Sequence, residues 1–178
     1  MAEERVAEER VAEDPEAARL VSLLTAARLT VATAESLTGG LLAGAVTAVP
    51  GASQVFRGGV VAYATDLKHD QLGVDADLLA GVGAVHPRVA AAMADGARRR
   101  LGADLGLATT GVAGPDPQDG HPPGVVWVGL ADARGSWAVD ATTDGAAGRA
   151  GVRAATVRAA LAAAVRLLTG EDPPAAHR

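Results

Sequence analysis

The run Thr30-Val31-Ala32-Thr33-Ala34 is short, apolar and partly β-branched, and it passes at once into Glu35-Ser36-Leu37-Thr38-Gly39-Gly40 and an aliphatic stretch that stops at Pro50-Gly51. The first run reads as a strand, because β-branched residues suit a pleated backbone. Leu37 to Ala48 reads as a helix, ended by the Pro-Gly pair. A strand that gives way directly to a helix is the repeating unit of layered α/β domains. The same alternation extends in both directions. Upstream, Pro15 suits a first helical turn, and Leu20, Val21, Leu23 and Leu24 give residues 16–28 an apolar face. Downstream, Gly59 to Tyr63 is a strand, and Asp66 to Gly73 and Asp75 to Gly81 are short helices. Pro87 to Leu101 is a longer helix with Arg98-Arg99-Arg100 favourably placed in its last turn. Leu105 to Thr109 is a buried strand, followed by a loop over 114–124 rich in proline and glycine. Gly124 to Ala131 and Ser136 to Thr142 form a hairpin through Asp132 to Gly135, and Val152 to Leu168 is the final helix. The pattern predicts one α/β layered domain with a mixed sheet over residues 15–169.

Composition narrows the function classes. The chain has 178 residues, enough for one domain with a proper core, and 49% are hydrophobic while only 2% are aromatic. The core must therefore consist of small aliphatic side chains, which let backbones approach closely. There is no cysteine, so disulfides, thiolate metal sites and cysteine nucleophiles are excluded, and a cytoplasmic setting fits. No apolar run approaches the roughly 18 residues of a membrane span, and the acidic start lacks the apolar core of a secretory leader. Residues 1–14 contain six acids and two arginines and hence four of the five net negative charges. The rest is nearly neutral, which argues against a nucleic-acid partner. The repeated Ala-Glu-Glu-Arg-Val at 2–6 and 7–11 fits neither a helix face nor a strand face. Residues 1–14 read as a flexible extension, and 170–178 as a polar tail.

Chemistry concentrates at the ends of strands. Ser36 lies where a strand becomes a helix, beside two glycines that are poor helix formers but permit close approach to the backbone. A serine held there exposes its hydroxyl, and the N–H groups of Gly39 and Gly40 could take up a developing oxyanion. Read locally, Ser36 also suits a plain helix cap. Tyr63 is the only tyrosine and Lys68 the only lysine, against fifteen arginines. Arginine cannot surrender its proton near neutral pH, whereas a buried lysine can, so Lys68 is a candidate base for a serine. A solvated surface lysine is the alternative. The four histidines (His69, His86, His121 and His177) show no metal-ligand spacing, and nothing points to a Ser-His-Asp arrangement. Thr110 and Gly111 follow a buried strand and open the long loop, at the strand end where ligands gather in open α/β sheets, although a plain strand-to-loop turn is equally open. Arg149, before the last helix, opposes the helix dipole, as a phosphate- or carboxylate-binding arginine would, although a surface position is equally open.

Together these segments resemble the C-terminal domain of the competence-damage protein CinA, also found as stand-alone nicotinamide-nucleotide amidases. The residues that carry the resemblance are Ala34-Glu35-Ser36 with Thr38-Gly39-Gly40, Pro50-Gly51-Ala52-Ser53, and Gly58-Gly59-Val60-Val61-Ala62-Tyr63 with Lys68. Leu72-Gly73-Val74, Gly83-Ala84-Val85, Thr110-Gly111-Val112-Ala113-Gly114-Pro115 and Pro122-Pro123-Gly124 continue it in order, so that it spans about residues 16–169. The resemblance implies a three-layer α/β/α sandwich, a homodimer, and deamidation of nicotinamide mononucleotide to nicotinate mononucleotide and ammonia without metal or cofactor. It places the nucleophile on Ser36, the base on Lys68 and an assisting group on Tyr63. Thr38, Gly39, Gly40, Thr110, Gly111 and Arg149 become the candidate substrate-binding residues. The chain departs from the family pattern at Ala64-Thr65, at His86, at Pro117-Gln118, and at Gly148, where an acid usually precedes the arginine. Two other functions remain open: a non-catalytic nucleotide-binding regulatory module, and an amidase for another small amide.

Overall fold

The computed structural model describes residues 14–171. Most of the extension over 1–14 and of the tail over 170–178 lies outside the described residues. Helix α1 (Pro15–Ala27) starts as its sequence dictates, with Pro15 in the first turn. Asp14 Oδ1 accepts from the N–H groups of Glu16 (2.9 Å) and Ala17 (3.3 Å). Strand β1 (Val31–Glu35) is followed by α2 (Leu41–Thr47), a 3-10 turn at Ala52–Gln54 and β2 (Phe56–Val61). Helices α3 (Thr65–Leu72), α4 (Ala76–Val82) and α5 (Pro87–Leu101) precede β3 (Leu105–Gly111). The hairpin of β4 (Val126–Asp132) and β5 (Gly135–Asp140) leads, through a 3-10 turn at Gly145–Ala147, into α6 (Gly148–Thr169).

The five strands form one sheet in the order β2-β1-β3-β4-β5. The first three are parallel and the hairpin is antiparallel, so the sheet is mixed, as the sequence predicts. One apolar cluster joins α1, α2 and α6 to one face; a second joins α3, α4 and α5 to the other. The helices therefore form two layers with the sheet between them. β1 and β3 lie at the centre and are buried along their whole length. The small-residue core is used as composition suggests. Helix α5 lies so close to the sheet that a Cβ on Gly129 of β4 would stand 1.9 Å from the carbonyl oxygen of Ala90.

Several boundaries differ from the sequence reading by a few residues, and three of them matter for the site. Helix α2 begins at Leu41 rather than Leu37, because Gly39 (φ 57°) and Gly40 (φ 99°) adopt left-handed backbone and form a turn ahead of the helix. The helix after the hairpin begins at Gly148, four residues before Val152, which brings Arg149 and Arg153 inside its first turns. Strand β2 ends at Val61, so Tyr63 stands outside the sheet.

Candidate active site

The site is built by the two-residue alternation of a strand. Along β1, Val31 joins the cluster beneath α1, α2 and α6, while Ala32 and Ala34 join the opposite one. Continuing the alternation sends Glu35 toward α2 and Ser36 toward α3. Glu35 is fully buried. Its Oε2 accepts from the N–H groups of Gly40 (2.9 Å) and Leu42 (3.0 Å), and Oε1 from Ala43 (2.8 Å). An anion on three N–H groups at the start of a helix is a strong cap. The capping role that local sequence offers to Ser36 is thus filled by Glu35, and the serine hydroxyl is released from it.

Ser36 Oγ instead accepts from Lys68 Nζ at 3.1 Å, and the same ammonium donates to Ala62 O at 2.9 Å. Lys68 arises from α3 and is 1% exposed. Burial pushes its pKa down to about 8, against a smaller upward pull from Asp119 and Asp66. A solvated surface lysine is therefore not what the fold contains. The histidines have other partners: His69 Nδ1 lies 2.8 Å from Val74 O, and His86 Nδ1 caps α5 by accepting from Arg88 N at 3.2 Å.

The remaining candidates divide. Thr109 and Thr110 alternate across the sheet as Glu35 and Ser36 do. Thr109 shares a 2.8 Å hydrogen bond with the buried Thr38, which ties the turn before α2 to β3. Thr110 donates to Ala84 O at 2.7 Å on the other face, so its hydroxyl proton is engaged and its lone pairs remain to accept. Gly111 closes β3 opposite Val126. The N–H groups of Gly39 and Gly40 are not oxyanion donors in this arrangement. The first bonds Ser36 O at 3.1 Å and the second the Glu35 carboxylate. Arg149 donates through Nη1 to Gly114 O at 2.9 Å and through Nη2 to the hydroxyl of the half-exposed Tyr63. Neutral groups thus hold the arginine, and no carboxylate pairs with it among the described residues.

Three participants escaped the sequence reading: Glu35 as the cap, Asp119 as a charge acting on Lys68, and Arg153 on the nucleophile turn. Arg153 Nε donates to Leu37 O at 3.0 Å and Nη2 to Thr38 O at 2.9 Å. The signal for Glu35 was present, since an acid immediately before a helix start suits the dipole. Nothing local marked Asp119.

The model of the CinA C-terminal domain matches residues 13–168. The chain belongs to this family. A CinA-like protein of Frankia casuarinae is 59% identical over 117 residues, which are 66% of this chain and 27% of that protein. A competence-damage inducible protein of Desulforamulus reducens is 46% identical over 149 residues, 84% of this chain and 36% of that protein. This CinA domain thus spans about a quarter to a third of the length of those curated relatives. The crystal structure of a CinA superfamily protein from Klebsiella pneumoniae superposes with a TM-score of 0.82 at 32% identity, covering 87% of this chain and 96% of that one. A competence/damage inducible protein from Agrobacterium tumefaciens gives 0.79 at 36% identity, covering 89% and 98%. The mixed five-stranded α/β fold is therefore that of the CinA superfamily. No helix among the described residues is long and apolar enough to cross a membrane.

Proposed function

We propose that this CinA domain is a serine amidase that deamidates nicotinamide mononucleotide in the cytoplasm. The observation that carries the reading is the chain's only lysine, buried and 3.1 Å from the hydroxyl of a serine whose capping duty another residue has taken. In its neutral form Lys68 removes the Ser36 proton as Oγ attacks the carboxamide carbon. The electron pair of the C=O bond moves onto oxygen, and the turn's main-chain N–H donors that are not already engaged receive the charge. Lys68 returns the proton to the departing nitrogen, which leaves as ammonia. A water, deprotonated by the same lysine, then cleaves the ester and regenerates Ser36.

Arg149 and Tyr63 extend the site on its open side. Both are exposed, and a guanidinium with neutral partners can exchange them for the oxygens of a phosphate. In this reading Arg149 holds the nucleotide phosphate, and Tyr63 positions the arginine and contributes a proton path to the leaving group. Thr110 and the Thr38-Gly39-Gly40 turn shape the wall between them.

The test is ammonia release from nicotinamide mononucleotide by the purified chain, with Ser36→Ala alongside and a chelator present. Release that survives chelation and disappears in Ser36→Ala supports the amidase. Tight mononucleotide binding without release would favour a regulatory nucleotide-binding module. Neither binding nor release would point to another amide.

A further inference from the structure

Two layers grip the nucleophile turn from opposite faces of the sheet. Lys68 reaches Ser36 from α3, whereas Arg153 reaches Leu37 and Thr38 from α6. Arg153 is half-buried and has no carboxylate partner among the described residues. Its planar forked head is committed to two consecutive main-chain carbonyls, a geometry that a lysine ammonium on a flexible stem holds less rigidly. The guanidinium lies in ordinary van der Waals range of Gly39, where a Cβ would stand 3.5 Å from Arg153 Nη2.

Fixing a carbonyl fixes a peptide plane. In a planar trans peptide the C=O and N–H point in opposite directions. The Leu37 carbonyl is drawn toward Arg153 and the α6 layer, so the Thr38 N–H of the same peptide turns toward the side from which Lys68 approaches. Of the other N–H groups in the turn, Ser36 bonds Thr109 O (3.0 Å), Gly39 bonds Ser36 O and Gly40 bonds Glu35, while Leu37 N–H has no acceptor among the described residues but belongs to a peptide whose carbonyl Arg153 does not hold. The Thr38 N–H has no acceptor among the described residues.

We propose that Arg153 is a positioning residue that holds the Leu37–Thr38 peptide so that the Thr38 N–H receives the oxyanion formed when Ser36 attacks. The proposal rests on the serine amidase reading above. Arg153 exchanges no proton. Its role is to keep a donor in place before charge develops, where preorganisation has its largest effect.

The experiment compares wild type with Arg153→Met and Arg153→Lys, each checked for folding by thermal melting. The probe is a neutral fluorophosphonate ester. It phosphonylates a serine oxygen with loss of fluoride through an anionic transition state, and it needs neither the amide nor a phosphate site. We expect wild type to be labelled at Ser36 and Arg153→Met to be labelled roughly a hundredfold more slowly, with Arg153→Lys between them. With nicotinamide mononucleotide, kcat should fall by a similar factor while KM stays within roughly threefold. The limb of the pH profile set by Lys68 should not move. Equal labelling of wild type and variants would overturn the inference while leaving the amidase reading intact. So would a rise in KM at unchanged kcat, which marks an anion-binding arginine. If neither variant folds, Arg153 serves the fold and the inference fails. If wild type itself is not labelled, the nucleophile assignment fails first and takes this inference with it.

Discussion

A lysine placed within a folded protein at 1% exposure is a costly choice, and the placement has consequences for both chemistry and stability. Its pKa of about 8 sets the pH dependence of the proposed reaction. The base must be neutral, so activity depends on the fraction of Lys68 that has lost its proton. We therefore expect kcat/KM to rise about tenfold per pH unit below the pKa and to level off above it, with an apparent value near 8. A rate profile over the range from acid to mildly alkaline pH checks this, and a flat profile would remove Lys68 as the base. The stability consequence has its own sign. The folded pKa lies below the ordinary 10.5, so the unfolded chain binds more protons between those values. Stability owed to this residue therefore rises as pH increases from about 8 to 10.5. At neutral pH, Lys68→Met should raise the melting temperature while abolishing turnover, since a functional site retains a group that the fold would rather not bury. Melting curves of the two proteins at pH 7 decide it: a lower melting temperature for the variant would mean that the ammonium is a net stabiliser.

At the scale of elements, the site depends on how β1 hands over to α2. A helix start normally takes its cap from the residue just ahead of it. Here two left-handed glycines lengthen the connection, and the cap comes from the last residue of the strand, five positions upstream of Gly40. The arrangement frees Ser36 and simultaneously fixes the turn it sits in. Glu35→Gln tests the dependence. An amide offers one acceptor oxygen in place of two and turns an NH₂ group toward N–H donors, so the cap is broken rather than weakened evenly. Loss of about 2–4 kcal/mol is expected, from hydrogen bonds to a charged acceptor left unmade, and the melting temperature should fall by roughly 5–15 °C. Turnover should fall as well, because the turn carrying Ser36 loses its anchor. A variant that melts with wild type would show that the carboxylate does not hold α2. These details explain what was legible in the sequence. Alternation and caps marked every strand and helix, because they are local signals. The start of α2 was misplaced because Leu37 and Thr38 have helical neighbours downstream, while only the three-dimensional path of Gly39 and Gly40 shows a turn. Lys68 was legible through its uniqueness, but its pairing with Ser36 came from the family resemblance and not from any local signal, since the meeting of α3 with β1 depends on the sheet order. Arg153 carried no mark, because a guanidinium on two carbonyls looks in sequence like any surface arginine.

Over the whole molecule, the proposed site draws on both helical layers. Lys68 comes from one side of the sheet and Arg149 and Arg153 from the other, so the site exists only when the entire sandwich is assembled. The same assembly tolerates little intrusion where α5 meets Gly129. Two trimmed chains separate the domain from its leading segment. A chain that begins at Asp14 keeps the carboxylate that accepts from Glu16 and Ala17. A chain that begins at Pro15 loses it, and the first turn of α1 is left with orphan N–H groups. The first should melt within roughly 3 °C of the full chain and release ammonia at the full rate. The second should be less stable by about 1 kcal/mol, the usual worth of such a cap, with turnover unchanged because α1 packs beneath the sheet and no α1 residue reaches Ser36. If instead the chain beginning at Asp14 is the one that fails, the first thirteen residues belong to the functional unit, and the acidic segment has a role in the assembly that the sandwich alone does not supply.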